Sequence, residues 1–219
     1  MIRVPKKRLL SAAAALGLAV TGLTVAAAPA ATAAPCTDID VAVARGTGEP
    51  GTLGLIVGQP VFQAVQTRLL PRSVSSYGVN YPADLIQPAS VQRGNTDLVN
   101  HVRTQAAACP SQRFVLVGYS QGANVVDNSI GISSAGAVVG GPIAATIPAD
   151  LAPRIAAILL FGNPIRAIGR SVTGTYQGRT KDYCALGDPV CQPLGTNILA
   201  HLSYGGQAGD AASFVAGKV

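Results

Sequence analysis

Charge is scarce in this 219-residue sequence. Asp, Glu, Lys and Arg supply 12% of it, about half the share usual in globular chains. Apolar residues supply 48%, which excludes a disordered chain, since disorder needs little hydrophobicity and much charge. A coiled coil is excluded as well, because it needs Glu and Lys flanking Leu-rich heptads. No internal repeat is present, so neither a solenoid nor a propeller is expected. Only two histidines occur, at no ligand spacing, and no Cys-x-x-Cys pair accompanies them, so no metal site is expected. Beyond residue 35 no run reaches 18 uninterrupted apolar residues, so the rest of the chain should carry no membrane span.

What charge there is sums to +6, which suggests a nucleic-acid partner until the charges are located. Arg3, Lys6, Lys7 and Arg8 form a basic start. An apolar run follows from Leu9 to Ala28, and small residues fill Ala30 to Ala34. Basic, apolar and small-residue regions in that order read as a secretory signal peptide over residues 1–33, cleaved after Ala33 or an earlier Ala. Its removal leaves 12 basic against 10 acidic residues, and the basic ones are scattered. A nucleic-acid stripe is therefore absent, and residues 34–219 are expected to be one secreted, extracellular domain.

Four cysteines remain in that domain. An even count in a secreted chain reads as two disulfides. The nearness of Cys184 to Cys191 pairs those two and leaves Cys36 with Cys109.

Apolar strands are expected at 39–44, 113–117 and 155–161, and an alternating one at 74–80. Helices are expected at 55–70, 90–108, 121–132 and 208–217, with loops over 133–153 and from Gly162 to about Ala208. Strands that alternate with helices and are apolar throughout imply a parallel sheet covered on both faces, a three-layer α/β domain. Functional residues in such a fold lie just past the carboxyl ends of the strands.

There the sequence carries Gly118-Tyr119-Ser120-Gln121-Gly122 between a strand and a helix. Gly-x-Ser-x-Gly in that setting is a nucleophile elbow, whose tight turn needs glycine on both sides of the serine. A serine nucleophile needs a base and an acid, in the chain order Ser, acid, His. His201 follows Ser120 in a loop, whereas His101 precedes it on a helix and is expected at the surface. Asp127 on the helix after the elbow points away, and Asp150 lies at the wrong end of the sheet. Asp188, inside the Cys184–Cys191 span, is the first choice of acid and Asp182 the second. The oxyanion hole needs two backbone N–H groups. One belongs to Gln121, and the other is expected from Thr47 in the turn after the first strand, whose hydroxyl is also available. A dinucleotide site on Gly46 to Gly51 is rejected: no acid occurs between Glu49 and Asp84 to hold a ribose.

With Ala44-Arg45-Gly46-Thr47, Tyr81-Pro82-Ala83, the elbow, Cys184-x-x-x-Asp188-Pro189-Val190-Cys191 and Ala200-His201-Leu202-x-Tyr204, the chain resembles the cutinase-family serine esterases. It resembles the actinobacterial cutinase-like proteins in particular. The departure is Gly48, where fungal members carry another residue. The resemblance implies an α/β-hydrolase fold with a five-stranded, mainly parallel sheet and no large lid. It also implies a Ser120–Asp188–His201 triad, an oxyanion hole of Thr47 and Gln121, and the disulfides Cys36–Cys109 and Cys184–Cys191. The expected activity is hydrolysis of short to medium acyl esters through an acyl-enzyme, by a monomer without cofactor or metal. Leu85, Ile86, Ile168, Leu186, Val190, Leu194, Ile198 and Leu199 are candidates for an acyl groove, with half of them expected in the core. A phospholipase or acyltransferase on cell-envelope lipids, or a non-catalytic secreted binding protein, are the alternatives.

Overall fold

The computed structural model describes Met1 and residues 36–219. The expected signal peptide lies outside the described residues, and the fold is that of the unit Pro35–Val219. Five strands form one sheet: β1 (Ile39–Ala44), β2 (Val74–Gly78), β3 (Arg113–Tyr119), β4 (Ile155–Phe161) and β5 (Thr180–Tyr183). Their order is β2-β1-β3-β4-β5, and every neighbouring pair is parallel.

The three central strands are apolar because both faces are covered. In β3, Phe114 and Leu116 pack with one cluster, alongside Leu98 and Val102 of α2 (Ala89–Ala108) and Val125 and Val126 of α3 (Gln121–Ser129). Val115 and Val117 point to the opposite cluster, with Val61 and Val65 of α1 (Gly58–Arg68) and Ala211 and Val215 of α5 (Ala208–Ala216). Alternation within a strand thus feeds two cores, giving helix, sheet and helix layers. Each such side chain contributes roughly 1.5–3 kcal/mol on burial.

α2 buries a stripe at Val91, Leu98, Val99, Val102 and Ala106, the spacing of one helical face. It stops at Cys109, before Pro110. Arg154 closes its carboxyl end by donating to the Ala106 carbonyl at 2.9 Å and the Cys109 carbonyl at 2.5 Å, a cation where the helix dipole is negative. Cys109 is bonded to Cys36, and Cys184 to Cys191. Among the described residues no helix is long and apolar enough to cross a membrane.

The edges depart from expectation. β2 (Val-Ser-Ser-Tyr-Gly) and β5 (Thr-Lys-Asp-Tyr) are only partly buried. An edge strand with a wet side needs no apolar run, which is why residue patterning alone misses β5. The helices α1 and α3 are shorter than the expected 55–70 and 121–132. His101 is not a surface histidine. Its Nε2 lies 2.6 Å from Oδ2 of Asp40, and its ring stacks on Tyr77 with centroids 3.5 Å apart. Asp40 is buried in β1, and a buried carboxylate must find a partner.

The chain winds in one direction from β1 to β2 and in the other from β1 to β3. The crevice at this reversal, past the carboxyl ends of β1 and β3, is where parallel sheets place their sites.

Candidate active site

Two turns meet at that crevice. After β3, Ser120 takes a φ of 55°, a strained conformation for a residue with a side chain. Its N–H is held by the Phe161 carbonyl of β4 at 2.9 Å. A Cβ on Gly122 would stand 1.9 Å from the Ala44 carbonyl oxygen, and one on Gly118 would stand 2.5 Å from that of Gly122. Both glycines are therefore obligatory, and α3 starts hard against β1 with Ser120 at its tip.

The turn after β1 is tied from several sides. The buried Glu49 carboxylate accepts the N–H of Gly46 at 2.7 Å and of Ile56 at 2.8 Å. The Gly48 N–H donates to Ala83 at 2.8 Å, and Arg45 donates to the Tyr81 carbonyl at 2.9 Å. Gly48 has a φ of 70°, with open space where a Cβ would sit, so the backbone conformation rather than crowding explains this glycine. Thr47 is bonded to Gln121 through side chains, Nε2 to Oγ1 at 3.0 Å. Among the described residues neither the Thr47 nor the Gln121 backbone N–H has an intramolecular acceptor. Two free donors beside a serine are what an oxyanion hole requires.

His201 ends a short helix, α4 (Ile198–His201), begun by the Asn197 side chain accepting the Leu199 N–H. Its Nδ1 lies 2.8 Å from Oδ2 of Asp188, which is fully buried. The other oxygen, Oδ1, accepts the Val190 N–H at 2.7 Å. Tyr119, the residue before the serine, donates its hydroxyl to the His201 carbonyl at 2.8 Å, and its ring stacks against the imidazole. His201 is thereby anchored to the elbow, although no direct hydrogen bond joins the Ser120 hydroxyl to the imidazole among the described residues. Such bonds are commonly long before substrate binds. Of the two acids weighed from sequence, Asp188 faces His201. Asp182 faces Asn163 at 3.1 Å and Arg166 at 3.6 Å instead.

Two residues of the site escape sequence reasoning. Tyr204 donates its hydroxyl to Oδ2 of Asp188 at 2.5 Å while accepting the Ala185 N–H at 2.9 Å. Burial first, and then the Asp188 carboxylate, push its phenol pKa up. Its place in the Ala-His-Leu-x-Tyr run was the available signal. Gly162, with a φ of 55°, lies against His201 and Asp188, and nothing local in the sequence announces it.

Asp127 does not merely point away from the site. It is wholly buried, and neither carboxyl oxygen has a hydrogen-bond partner among the described residues. Burial, then the Asp182 charge, raise its pKa well above the ordinary carboxylate value. Asp182 is pushed up to about 6, again by burial, which Arg166 partly opposes.

The expected groove residues are more exposed than anticipated. Leu85, Ile86, Leu186, Leu194, Ile198 and Leu199 are each more than half exposed, Ile168 is exposed and Val190 half-buried. The expectation that half would join the core fails, because these positions lie in the loops and short helical turns outside the sheet, Ile198 and Leu199 in α4 among them. All but Ile168 belong to the segments that carry Asp84, Asp188 and His201.

The family model described as Cutinase matches residues 35–219. A cutinase of Kineococcus radiotolerans is 46% identical over 193 residues, which are 85% of this chain and 63% of that protein. The chain thus spans less than two thirds of that relative's length. The phospholipase Culp4 of Mycobacterium tuberculosis is 40% identical over 213 residues, 94% of this chain and 89% of its own. Among solved structures, Trichoderma reesei cutinase in complex with a C11Y4 phosphonate inhibitor matches with a TM-score of 0.68 at 33% identity, covering 84% of this chain and 77% of that one.

Proposed function

The chain belongs to the cutinase family, and from that premise we propose that it is a secreted serine esterase with Ser120 as nucleophile, His201 as base and Asp188 as the acid that orients it. The observation that carries the reading is the buried Asp188–His201 couple at 2.8 Å, tied through Tyr119 to the strained elbow of Ser120. The Ser120 oxygen attacks the ester carbonyl carbon while its proton passes to Nε2 of His201. The carbonyl oxygen becomes an oxyanion on the N–H groups of Thr47 and Gln121. As the intermediate collapses, the carbon–oxygen bond to the alcohol breaks and His201 returns the proton to that alcohol. A water molecule then gives its proton to His201 and attacks the acyl-enzyme, and the acid leaves as Ser120 recovers its hydrogen. Asp188 keeps the imidazole in one tautomer and stabilises its charged form.

The exposed leucines and isoleucines around the site support acyl esters as substrates, of short to medium chain length. The 40% identity to a phospholipase favours one variant of this reading, hydrolysis of envelope phospholipids. The basic start of the chain supports a signal peptide over residues 1–33 and hence secretion, the two disulfides suit an oxidising compartment, and the scattered charge argues against a nucleic-acid partner. Two measurements test the proposal together: labelling of the purified protein by a fluorophosphonate, mapped by peptide mass, and hydrolysis rates on p-nitrophenyl esters of two to sixteen acyl carbons and on phosphatidylcholine. Label on Ser120 with turnover of the shorter esters is expected. An unlabelled Ser120 and no turnover would make the chain a binding protein on an esterase fold.

A further inference from the structure

The Gln121 side chain is fully buried and every polar atom of it is used. Nε2 donates to the Asp84 carbonyl at 2.7 Å and to Oγ1 of Thr47 at 3.0 Å. Oε1 accepts the hydroxyl of Ser90 at 2.7 Å, and Oγ of Ser90 in turn accepts the Asp84 N–H at 3.2 Å. Ser90 is the second residue of α2 and is itself buried.

The direction of each bond in this ring is forced. A backbone carbonyl only accepts, so the Asp84 oxygen must face Nε2, and Oε1 must face Ser90. A backbone N–H only donates, so the single hydrogen of Ser90 is free to go to Oε1. The second Nε2 hydrogen then occupies a lone pair of Oγ1 of Thr47. The Thr47 hydroxyl, having accepted, keeps its own hydrogen, which has no acceptor among the described residues. That hydrogen sits on the residue whose backbone N–H is the proposed oxyanion donor.

We propose that Ser90 is a positioning residue of the oxyanion hole, acting through Gln121 to hold the Thr47 hydroxyl as a third donor to the oxyanion. The assignment rests on the esterase reading above. Without the Ser90 hydroxyl, Oε1 of Gln121 is buried with no donor and only the Asp84 carbonyl is left to hold the amide, so the rotamer that presents Nε2 to Thr47 is loosened. The Thr47 hydroxyl then turns to other partners at the moment charge develops on the substrate oxygen. An interaction made only with that charge stabilises the transition state and not the bound ester, so its loss lowers kcat and spares KM.

The test is a double-mutant cycle with p-nitrophenyl butyrate, at a temperature below every variant's melting transition. Thr47→Val keeps the backbone N–H and removes the hydroxyl, and should lower kcat about a hundredfold, the usual loss of one oxyanion donor. Ser90→Ala should lower kcat about tenfold with KM within about twofold. In the Thr47→Val background, Ser90→Ala should cost less than about twofold more, because the group it positions is gone. Gln121→Met, which keeps the Gln121 N–H and removes the amide, should show the same coupling and gives a second route if Ser90→Ala does not fold. Wild-type kcat in Ser90→Ala, or the same loss with and without the Thr47 hydroxyl, overturns the relay. Ser120→Ala in the same series separates the two readings. If Ser120→Ala stays active, the assignment of Ser120 as nucleophile falls; if it is dead and the cycle shows no coupling, only the relay falls.

Discussion

Gly162 and His201 meet at closer range than any side chain at position 162 permits. A Cβ on Gly162 would stand 2.7 Å from Cε1 and 2.8 Å from Nδ1 of the imidazole, and 3.0 Å from Oδ2 of Asp188. The end of β4 thus forms the floor on which the Asp188–His201 couple rests, and the glycine's φ of 55° is one that a side chain resists. We expect Gly162→Ala to push the imidazole off its position. A displacement of about 1 Å near reacting groups costs about a hundredfold in rate. The check is kcat against melting temperature. A loss of about a hundredfold in kcat with a melting shift of a few degrees is expected, whereas wild-type kcat would show that the imidazole has room to spare.

Tyr204 supplies the second donor to the oxygen of Asp188 that faces His201. A hydrogen bond to a buried carboxylate contributes about 1.5–3 kcal/mol. Tyr204→Phe removes it and leaves the Ala185 N–H without an acceptor. The expected outcome is a stability loss of that order, read by urea unfolding, with kcat lowered about tenfold. Unchanged unfolding would mean that the Val190 N–H and His201 hold the acid without it.

Ser120→Ala should abolish ester hydrolysis and leave the fold intact. Ser120 is nearly buried at the start of α3, and its position is set by its own backbone N–H bond to Phe161 and by the flanking glycines. None of these depends on the hydroxyl. More than about a hundredth of wild-type kcat in this variant would remove Ser120 from the mechanism, since nucleophile and base act as a unit. Melting curves superimposable with wild type complete the check.

Much of this arrangement is legible in residue order alone, and the remainder is hidden for identifiable reasons. The runs Phe114–Val117 and Ile155–Phe161 announce central strands because both faces are buried. The elbow is visible because its glycines answer a local clash. β5 is invisible to patterning, since an edge strand of Thr-Lys-Asp-Tyr needs no apolar face, and only the family resemblance supplied a fifth strand. His101 was misplaced because its partner, Asp40, lies 61 residues away in β1. Gly162 is required by a contact with a residue 39 positions later, which no local window contains. Asp188 is separable from Asp182 through the disulfide that brackets it and through the family resemblance, not through any local pattern of its own.

Asp182 and Asp127 place a pH-dependent load on the fold. The Asp182 carboxyl is pushed up to about 6 from the ordinary 3.8. Between those values the folded state binds a proton that the unfolded chain does not. Stability is therefore greatest below about pH 4, as far as this group is concerned, and declines as the pH rises through about 6. A shift of about two units corresponds to about 3 kcal/mol at most. Asp182→Asn removes the load and should gain stability at pH 7 relative to pH 4. Melting temperatures of both proteins from pH 4 to 8 decide the matter, and parallel profiles would contradict it.

The two disulfides should fail in different ways. Cys36–Cys109 spans 73 residues and Cys184–Cys191 only 7. In the chain-entropy view the long bridge contributes about 4 kcal/mol and the short one about 2.5 kcal/mol. The long bridge ties the chain just before β1 to the end of α2, toward the amino ends of the parallel strands, whereas Ser120 follows the carboxyl end of β3. Its removal should lower the melting temperature most and leave kcat nearly unchanged while the protein is folded. The short bridge brackets Asp188, and Sγ of Cys191 lies 3.5 Å from the Tyr204 hydroxyl that holds the acid. Its removal frees both ends of that loop at once. Cys184→Ser/Cys191→Ser should therefore lower kcat by more than tenfold with a smaller fall in melting temperature than Cys36→Ser/Cys109→Ser. Full activity in the Cys184/Cys191 variant would mean that Tyr204 and the Val190 N–H suffice to hold Asp188, and Tyr204→Phe made in that background should then collapse kcat.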